Sequence, residues 1–387
     1  MPPAPEGSTT STAPGKIDVM TTRHAVDALR HDIGGAADAQ TLFAHASTRL
    51  RRLTPFDAAV WVVTDPTTGL TTAPVRVENL HEGGCGTYWE SELLAEHVNR
   101  FRDLAAAPVP VAGLRAATGG EPGRSPLYQN FMRPRGLADE LRAVFRVDGK
   151  SWGQLSLFRE RGRADFDAAD IALVTALSTP LAQRIRSFVQ PSNPPAPQDA
   201  TTAPGMLLFD AGGNLVSLND EARDLLAQMP PGPTTTTPLG IALPLPVWIL
   251  STAGRARVTG GSARIRIRTV TGRWLVCHAS CLRAADGSDS STALVIEPAK
   301  PSEVAELVTA AYELTRRELE VVELVARGLA TADIAAQLHL SAHTVRDHVK
   351  AIFDKVGVSS RGELVALLFT EFQEPFAARN TVRVEHN

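Results

Sequence analysis

Leu314–Phe369, LTRRELEVVELVARGLATADIAAQLHLSAHTVRDHVKAIFDKVGVSSRGELVALLF, sets out four short helices in 56 residues. Thr315 stands where an N-cap belongs, and Glu318 three residues on completes a Thr-x-x-Glu capping box. The helix that follows turns Leu319, Val322, Leu324 and Val325 inward and stops at Gly328, where a left-handed C-cap fits. Thr331 is the expected cap of a second helix, with Ile334, Ala335 and Leu338 on its buried side. His339-Leu340-Ser341 turns the chain, and Ser341 caps a third helix. Along it Val345, Val349, Ile352 and Val356 recur at i, i+4, i+7 and i+11, a single stripe on one face. Gly357 ends that helix, and Ser360 with Glu363 makes a second capping box for a last one carrying Leu364, Leu367 and Leu368. Two of these helices joined by a three-residue turn read as a helix-turn-helix.

The segment resembles the LuxR-type helix-turn-helix family. That pattern opens with Leu-Thr-x-Arg-Glu, continues with Ile-Ala-x-x-Leu and Thr-Val-x-x-His-Val, and closes with Lys-x-Gly-Val-x-x-Arg-x-Glu-Leu. The four pieces stand at Leu314–Glu318, Ile334–Leu338, Thr344–Val349 and Lys355–Leu364. The resemblance implies a transcriptional regulator that binds double-stranded DNA, and RNA polymerase is a further partner such a regulator can meet.

With the valine stripe buried, the other side of the third helix presents His343, Thr344, Arg346, Asp347, Lys350 and Asp354. The N-terminal half of a recognition helix enters the major groove, and the family's base-reading positions fall on Arg346, Asp347 and Lys350. Arg346 has the fork to grip guanine O6 and N7, and Asp347 can accept from cytosine N4 or else only pair with Lys350 or Arg346. Thr331, Thr344, Lys355 and Arg361 are expected at phosphates, where contacts position without specifying. His348, beside the stripe, is expected to pack in the core. Across Ala311–Phe369 seven basic residues face eight acidic ones, a net of −1. A domain without a basic surplus gains little from counterion release, so two copies are expected to bind together. Leu364, Leu367 and Leu368 are the expected homodimer contact, and a two-fold pair requires an inverted-repeat target.

The whole chain, 387 residues with net charge −3 and 43% hydrophobic residues, has length for two to three domains. No apolar run reaches the roughly 18 residues of a membrane helix, and the opening MPPAPEGSTTSTAPGK has no apolar stretch of the kind a signal peptide carries. Three cysteines, Cys85, Cys277 and Cys281, cannot build a disulfide framework, so a reducing cytoplasm is expected. Residues 1–20 read as a disordered tail, and 190–204, with five prolines, as a linker. The remaining boundaries are 21–189 and 205–298 for two upstream domains, 299–313 for a connecting helix, 314–370 for the helix-turn-helix and 371–387 for a tail.

In 21–189, Thr41–Leu53 reads as a helix and Ala58–Thr64 as a strand. Ala138–Val147 and Trp152–Arg159 form a hairpin turning at Asp148-Gly149-Lys150, and Asp167–Phe188 is a closing helix with Ile171, Val174, Leu177, Leu181 and Ile185 at core spacing. The Trp-Gly-x-Leu-x-Leu-x-Arg strand and the Asp-x-x-Asp helix start resemble a GAF domain. That resemblance implies a ligand pocket between sheet and loops, here among Trp89, Phe101, Tyr128, Phe131 and Met132; the same aromatic residues, with Tyr88, serve equally as core beneath the sheet. Gly205–Pro298 opens GMLLFDAGGNLVSLNDEARDLL, a strand, a turn at Ala211-Gly212-Gly213, a strand and a helix capped by Asn219. Strands follow at Ala263–Val270, Arg273–Arg283 and Ser291–Glu297. Both ends resemble a PAS domain, while Met229–Gly261 departs from that pattern and reads as nearly free of helix. Cys277 and Cys281 fall on one face of a strand as core thiols, and His81 with Cys85 is too thin for a metal site.

The expected fold class is therefore multidomain α+β: GAF-like and PAS-like sensory or dimerisation domains before an all-α four-helix reader. The chain has no Gly-x-x-x-x-Gly-Lys loop and no Gly-x-Ser-x-Gly elbow, so neither an enzyme nor a cofactor is expected. Pro301–Glu313 carries Val304, Leu307, Val308 and Ala311 at helical spacing, enough to join the halves. A protein-interaction adaptor with secondary DNA binding and a small-molecule quorum-type sensor are the competing readings.

Overall fold

The turn Asp148-Gly149 places two residues in the left-handed region (φ 52° and 72°), the geometry that lets two long strands fold back on each other. Those strands are the centre of the first domain in a computed structural model. It describes residues 27, 34–80, 88, 98–189, 203–283, 291–300, 303–304, 307 and 310–370, with side chains of the last helix described to 365. The first sheet comprises β1 (Ala58–Thr64), β2 (Thr71–Glu78), β3 (Val111–Gly113), β4 (Leu137–Val147) and β5 (Lys150–Glu160), in the antiparallel order β2-β1-β5-β4-β3. Two helices cover one face, α1 (Ala39–Leu53), capped by Asp38, and α4 (Ala168–Ser187), whose capping box pairs Asp167 with Asp170. Between them in sequence lie the short α2 (Phe101–Ala106) and α3 (Leu114–Ala117).

Because β1 is buried on both sides it carries an unbroken apolar run instead of alternation. Ala59 and Trp61 meet Phe43, Leu50, Phe145, Leu181 and Ile185 on the helix side. Val60 and Val62 meet Tyr88, Phe131 and Phe158 on the other. Gly153 in β5 is required there: a Cβ would lie 2.9 Å from both Ile185 Cδ1 and the Val62 carbonyl oxygen.

The second domain repeats the topology. Its strands β6 (Gly205–Phe209), β7 (Leu215–Leu218), β10 (Ser262–Arg268), β11 (Trp274–Leu282) and β12 (Ser291–Pro298) run antiparallel in the order β10-β11-β12-β6-β7. Counted within each sheet, both follow 2-1-5-4-3. Helix α5 (Asp220–Ala227) is capped by Asn219 as expected. After the two-residue strands β8 (Thr234–Thr235) and β9 (Leu245–Pro246), a helix α6 spans Val247–Thr259. This corrects the expectation of little helix between Met229 and Gly261. Its first turn, Val247-Trp248-Ile249, is wholly buried, and Ser251, Thr252, Ala253 and Ala256 are buried too. A helix buried on most of its surface has no polar stripe from which to read a 3.6-residue period. Cys277 lies in this core, where burial pushes its thiol pKa up, and Cys281 is half-buried.

The two sheets meet at edge strands β2 and β10. The Thr72 hydroxyl of β2 donates to the Arg266 carbonyl of β10 at 2.7 Å. Arg266 and Asp65, 0% and 1% exposed, pair through Nε–Oδ2 at 2.8 Å and Nη2–Oδ1 at 2.7 Å. Arg266 also donates from Nη1 to the Glu303 carbonyl, at the start of the connecting segment. That segment is helical at its described residues 303, 304, 307, 310 and 311. Leu307 and Ala311 pack into the first domain's helix-side core, whereas Val304 and Tyr312 pack into the core of the C-terminal bundle. Expected Val308 lies outside the described residues. Among the described residues no helix is long and apolar enough to cross a membrane.

Candidate nucleic-acid interface

The C-terminal bundle consists of α7 (Arg316–Ala326), α8 (Thr331–Leu338), α9 (Ala342–Val356) and α10 (Arg361–Thr370). The capping box at Thr315 and Glu318 forms with both reciprocal bonds, at 2.7 and 3.2 Å. Gly328 (φ 80°) and Gly357 (φ 74°) take the left-handed conformation that ends α7 and α9. Two caps differ from expectation. Ala330, not Thr331, is the N-cap of α8, so the Thr331 hydroxyl is released to another partner. Glu363 reaches back to the Ser359 amide (2.7 Å) instead of that of Ser360. In α7 the inward residues include Val321, which is fully buried, whereas Leu319 is half-buried.

Ser341 caps α9, accepting from the Thr344 amide at 3.0 Å. The stripe Val345, Val349, Ile352 and Val356 packs with Val321, Val325 and Ile334 to form the core. Burying that stripe fixes the helix's rotation, so Arg346, Asp347 and Lys350 all stand exposed on its outer side. The Arg346 Nε donates to the Ala342 carbonyl of its own helix (3.2 Å), which aligns the guanidinium along the N-terminal half. Asp347 accepts from or shares a proton with His343 Nδ1 at 2.8 Å, the within-helix pairing left open by the sequence, with a different partner. Both side chains remain largely exposed, 81% for His343 and 67% for Asp347. His348 is half-buried beside the stripe.

The residues expected at phosphates have structural partners instead of open positions. Lys355 Nζ lies 2.6 Å from Glu318 Oε2 and 3.0 Å from the Glu313 carbonyl, tying the end of α9 to the start of α7. Arg361 donates to the Leu329 carbonyl (3.2 Å) and the Thr331 hydroxyl (2.7 Å), tying α10 to α8. Thr344 shares a hydrogen bond with Ser341 at 2.9 Å. Glu318 is the residue that sequence reading missed as more than a cap. Burial pushes its carboxyl up, but the hydrogen bonds from Lys355 and Thr315 outweigh this and hold it below the ordinary glutamate value. Leu364, expected at a dimer contact, is 1% exposed and sits inside the bundle core; its helix turns that face inward toward α7. The side chains of Leu367 and Leu368 lie outside the described residues.

In the first domain, Phe131 and Met132 are wholly buried in the aromatic layer under the sheet. Phe131 stands 5.4 Å from Tyr88 and 6.1 Å from Phe158, ring centre to ring centre. Half-buried Tyr128 packs against that layer, and Phe101 belongs to a separate small cluster with Leu104 and Val144. Trp89, Cys85 and His81 lie outside the described residues. Among the described residues no group of three His, Cys, Asp or Glu side chains is placed to hold a metal.

Residues 312–368 match the family described as bacterial regulatory proteins, luxR family. The spore germination protein GerE of Bacillus subtilis is 42% identical over 55 residues, 14% of this chain and 74% of GerE. The chain belongs to the luxR family of bacterial regulatory proteins. The transcriptional regulatory protein UhpA of Escherichia coli is 45% identical over 56 residues, and that stretch spans only 29% of UhpA. The family match lies on the C-terminal bundle. Among solved structures, the GAF domain of a phosphoenolpyruvate-protein phosphotransferase from Coxiella burnetii is 16% identical with a TM-score of 0.28, covering 43% of this chain and 94% of that one. VqmA bound to DPO is 17% identical with a TM-score of 0.19, covering 43% and 80%.

Proposed function

We propose that this luxR-family chain is a sequence-specific transcriptional regulator that binds double-stranded DNA as a homodimer, under the control of its two upstream domains. The observation that carries the proposal is the rotation of α9: one face is locked into the bundle core, and the opposite face holds Arg346, Asp347 and Lys350 exposed. Arg346 and Lys350 are one helical turn apart, so both reach into the same groove, with Arg346 offering the bidentate fork that guanine requires. Homodimerisation follows from the near-neutral charge of the bundle, since one copy neutralises few phosphates. Control by the upstream domains is supported by the connecting segment, which contributes apolar side chains to both the first domain's core and the bundle core.

Arg346→Ala tests the reading face. Binding of the full chain to its target duplex should weaken by roughly 1–3 kcal/mol, about five- to 150-fold, with affinity for unrelated duplexes nearly unchanged. Equal loss on both kinds of DNA, measured by fluorescence anisotropy at fixed salt, would show that Arg346 contacts phosphate and that the face is wrongly assigned.

A further inference from the structure

An apolar opening lies at the domain junction, away from the aromatic layer of the first domain. It is a cavity of about 430 Å³ between the two sheets and the connecting segment. Val63, Trp152, Ile185 and Phe188 form the first domain's wall, Trp274 the second's, and Leu307 the connecting segment's. Its volume falls within the roughly 300–1,000 Å³ typical of small-molecule sites. The exposed Pro231 and Val270 stand at its rim, Val270 at 63% exposure, unusual for a branched apolar side chain.

The charges on this wall define what it can take. Asp38, Asp65, Arg266 and Arg268 line it, two of each sign. Asp65 and Arg266 neutralise each other through paired bonds. Asp38 caps α1 by accepting from the Thr41 amide. Arg268 donates across the junction to the Phe188 carbonyl and within its own hairpin to the Gly272 carbonyl, both at 3.2 Å. Among the described lining residues the charges sum to zero, and Asp38 and Arg268 are already committed to backbone groups, so a charged guest would lose its hydration without a dedicated counter-ion. We propose that this junction cavity is a binding site for an uncharged, predominantly apolar small molecule, sensed by the DNA-binding bundle through Leu307 and Trp274.

The path to the bundle is short. Leu307 packs in one cluster with Trp152 and Ile185, and Trp274 packs against both that cluster and the bundle core. Ile185 is followed by Arg186, which is ion-paired to Asp148 (2.9 Å) and to Glu313 at the end of the connecting segment. A guest pressed against Ile185 and Leu307 therefore bears on the residues that fix where α7 begins. The coupling rests on the proposed regulatory reading; the binding site does not.

Calorimetric titration of the full chain with 2-acetylnaphthalene, neutral, and with 2-naphthoate, its charged counterpart, tests the site without DNA. The neutral probe should bind saturably, with the carboxylate at least about tenfold weaker. Val63→Trp, and independently Val189→Trp at the rim, should fill the space and weaken the neutral probe by about tenfold or more, each checked for folding by circular dichroism. Phe131→Leu, in the aromatic layer on the other face of the sheet, should leave its affinity unchanged. Equal binding of both probes, no saturable binding, or a loss with Phe131→Leu but not with the filling variants would overturn the site. The neutral probe should also change target-duplex affinity by roughly five- to 150-fold in the wild-type chain. A bound probe with unchanged DNA affinity would overturn the coupling. A chain that binds no DNA with or without probe would instead overturn the regulatory reading, with the calorimetry still deciding the site.

Discussion

Replacing Asp65 with alanine takes from Arg266, at 0% exposure, the carboxylate that pairs with it at the seam where the two sheets meet. Three donors lose their acceptor at once: Nε, Nη2 and the Arg266 amide, the last donating to Oδ2 at 3.2 Å. Its bonds to the Thr67 hydroxyl and the Glu303 carbonyl are to neutral oxygens and do not replace the carboxylate's charge. Removing one partner of a buried pair typically costs about 3–5 kcal/mol, whereas replacing both with well-packed apolar residues is often close to neutral. Asp65→Ala should therefore destabilise by about that amount. Asp65→Leu with Arg266→Met together should cost about 1–2 kcal/mol, giving a coupling of 2 kcal/mol or more in a double-mutant cycle. Urea unfolding followed by tryptophan fluorescence measures this, with Trp61 and Trp152 in the first domain and Trp248 and Trp274 in the second. Because the pair joins two domains, Asp65→Ala should also split one transition into two. A loss below about 1 kcal/mol, or a double variant as unstable as the sum of the singles, would refute the idea that this pair holds the junction.

The other predictions concern the bundle and the second domain's core. Glu318 titrates below its ordinary value in the folded state, so its bonds to Lys355 and Thr315 stabilise the bundle above the unfolded glutamate pKa of about 4.3 and are lost as pH falls through the lower folded value. Glu318→Gln should lower the melting temperature at pH 7 and flatten its dependence on pH below about 4.5; an undiminished acid transition would assign that transition to other carboxylates. Gly205→Ala should destabilise the second domain by about 1–3 kcal/mol, because the added Cβ would lie 2.7 Å from the Ala222 Cα, backbone that cannot turn aside. Thermal unfolding at wild-type temperature in that variant would show that α5 is free to shift off β6.

The helices of the C-terminal bundle were legible because each carries its own start and stop. The Thr315–Glu318 box, Gly328, Ser341 and Gly357 mark ends within a residue or two, and a single apolar stripe fixes the rotation of α9. The hairpin β4–β5 was equally readable from Asp148-Gly149 and the apolar runs beside it. Helix α6 was hidden because its surroundings are apolar on most sides, which erases periodicity. Strand β2 was hidden because Pro74 and Arg76 interrupt its alternation. The exposed face of α9 was readable from rotation alone, but the parts expected of Lys355 and Arg361 did not anticipate their partners 37 and 30 residues away in sequence, Glu318 and Thr331. The Asp65–Arg266 pair and the junction cavity, built from residues some 200 positions apart, leave no local signal at all.

We propose that α9 reads base sequence in the major groove and that two copies do so together. Selection of bound duplexes from a random 30-base-pair pool by the purified full chain, followed by sequencing, tests it most directly. The enriched sites should carry an inverted repeat with half-sites about one helical turn, roughly 10 base pairs, apart. Arg346→Ala should relax the preference at one position in each half-site. A pool that emerges unenriched, or enriched for a motif that Arg346→Ala selects unchanged, would contradict the account.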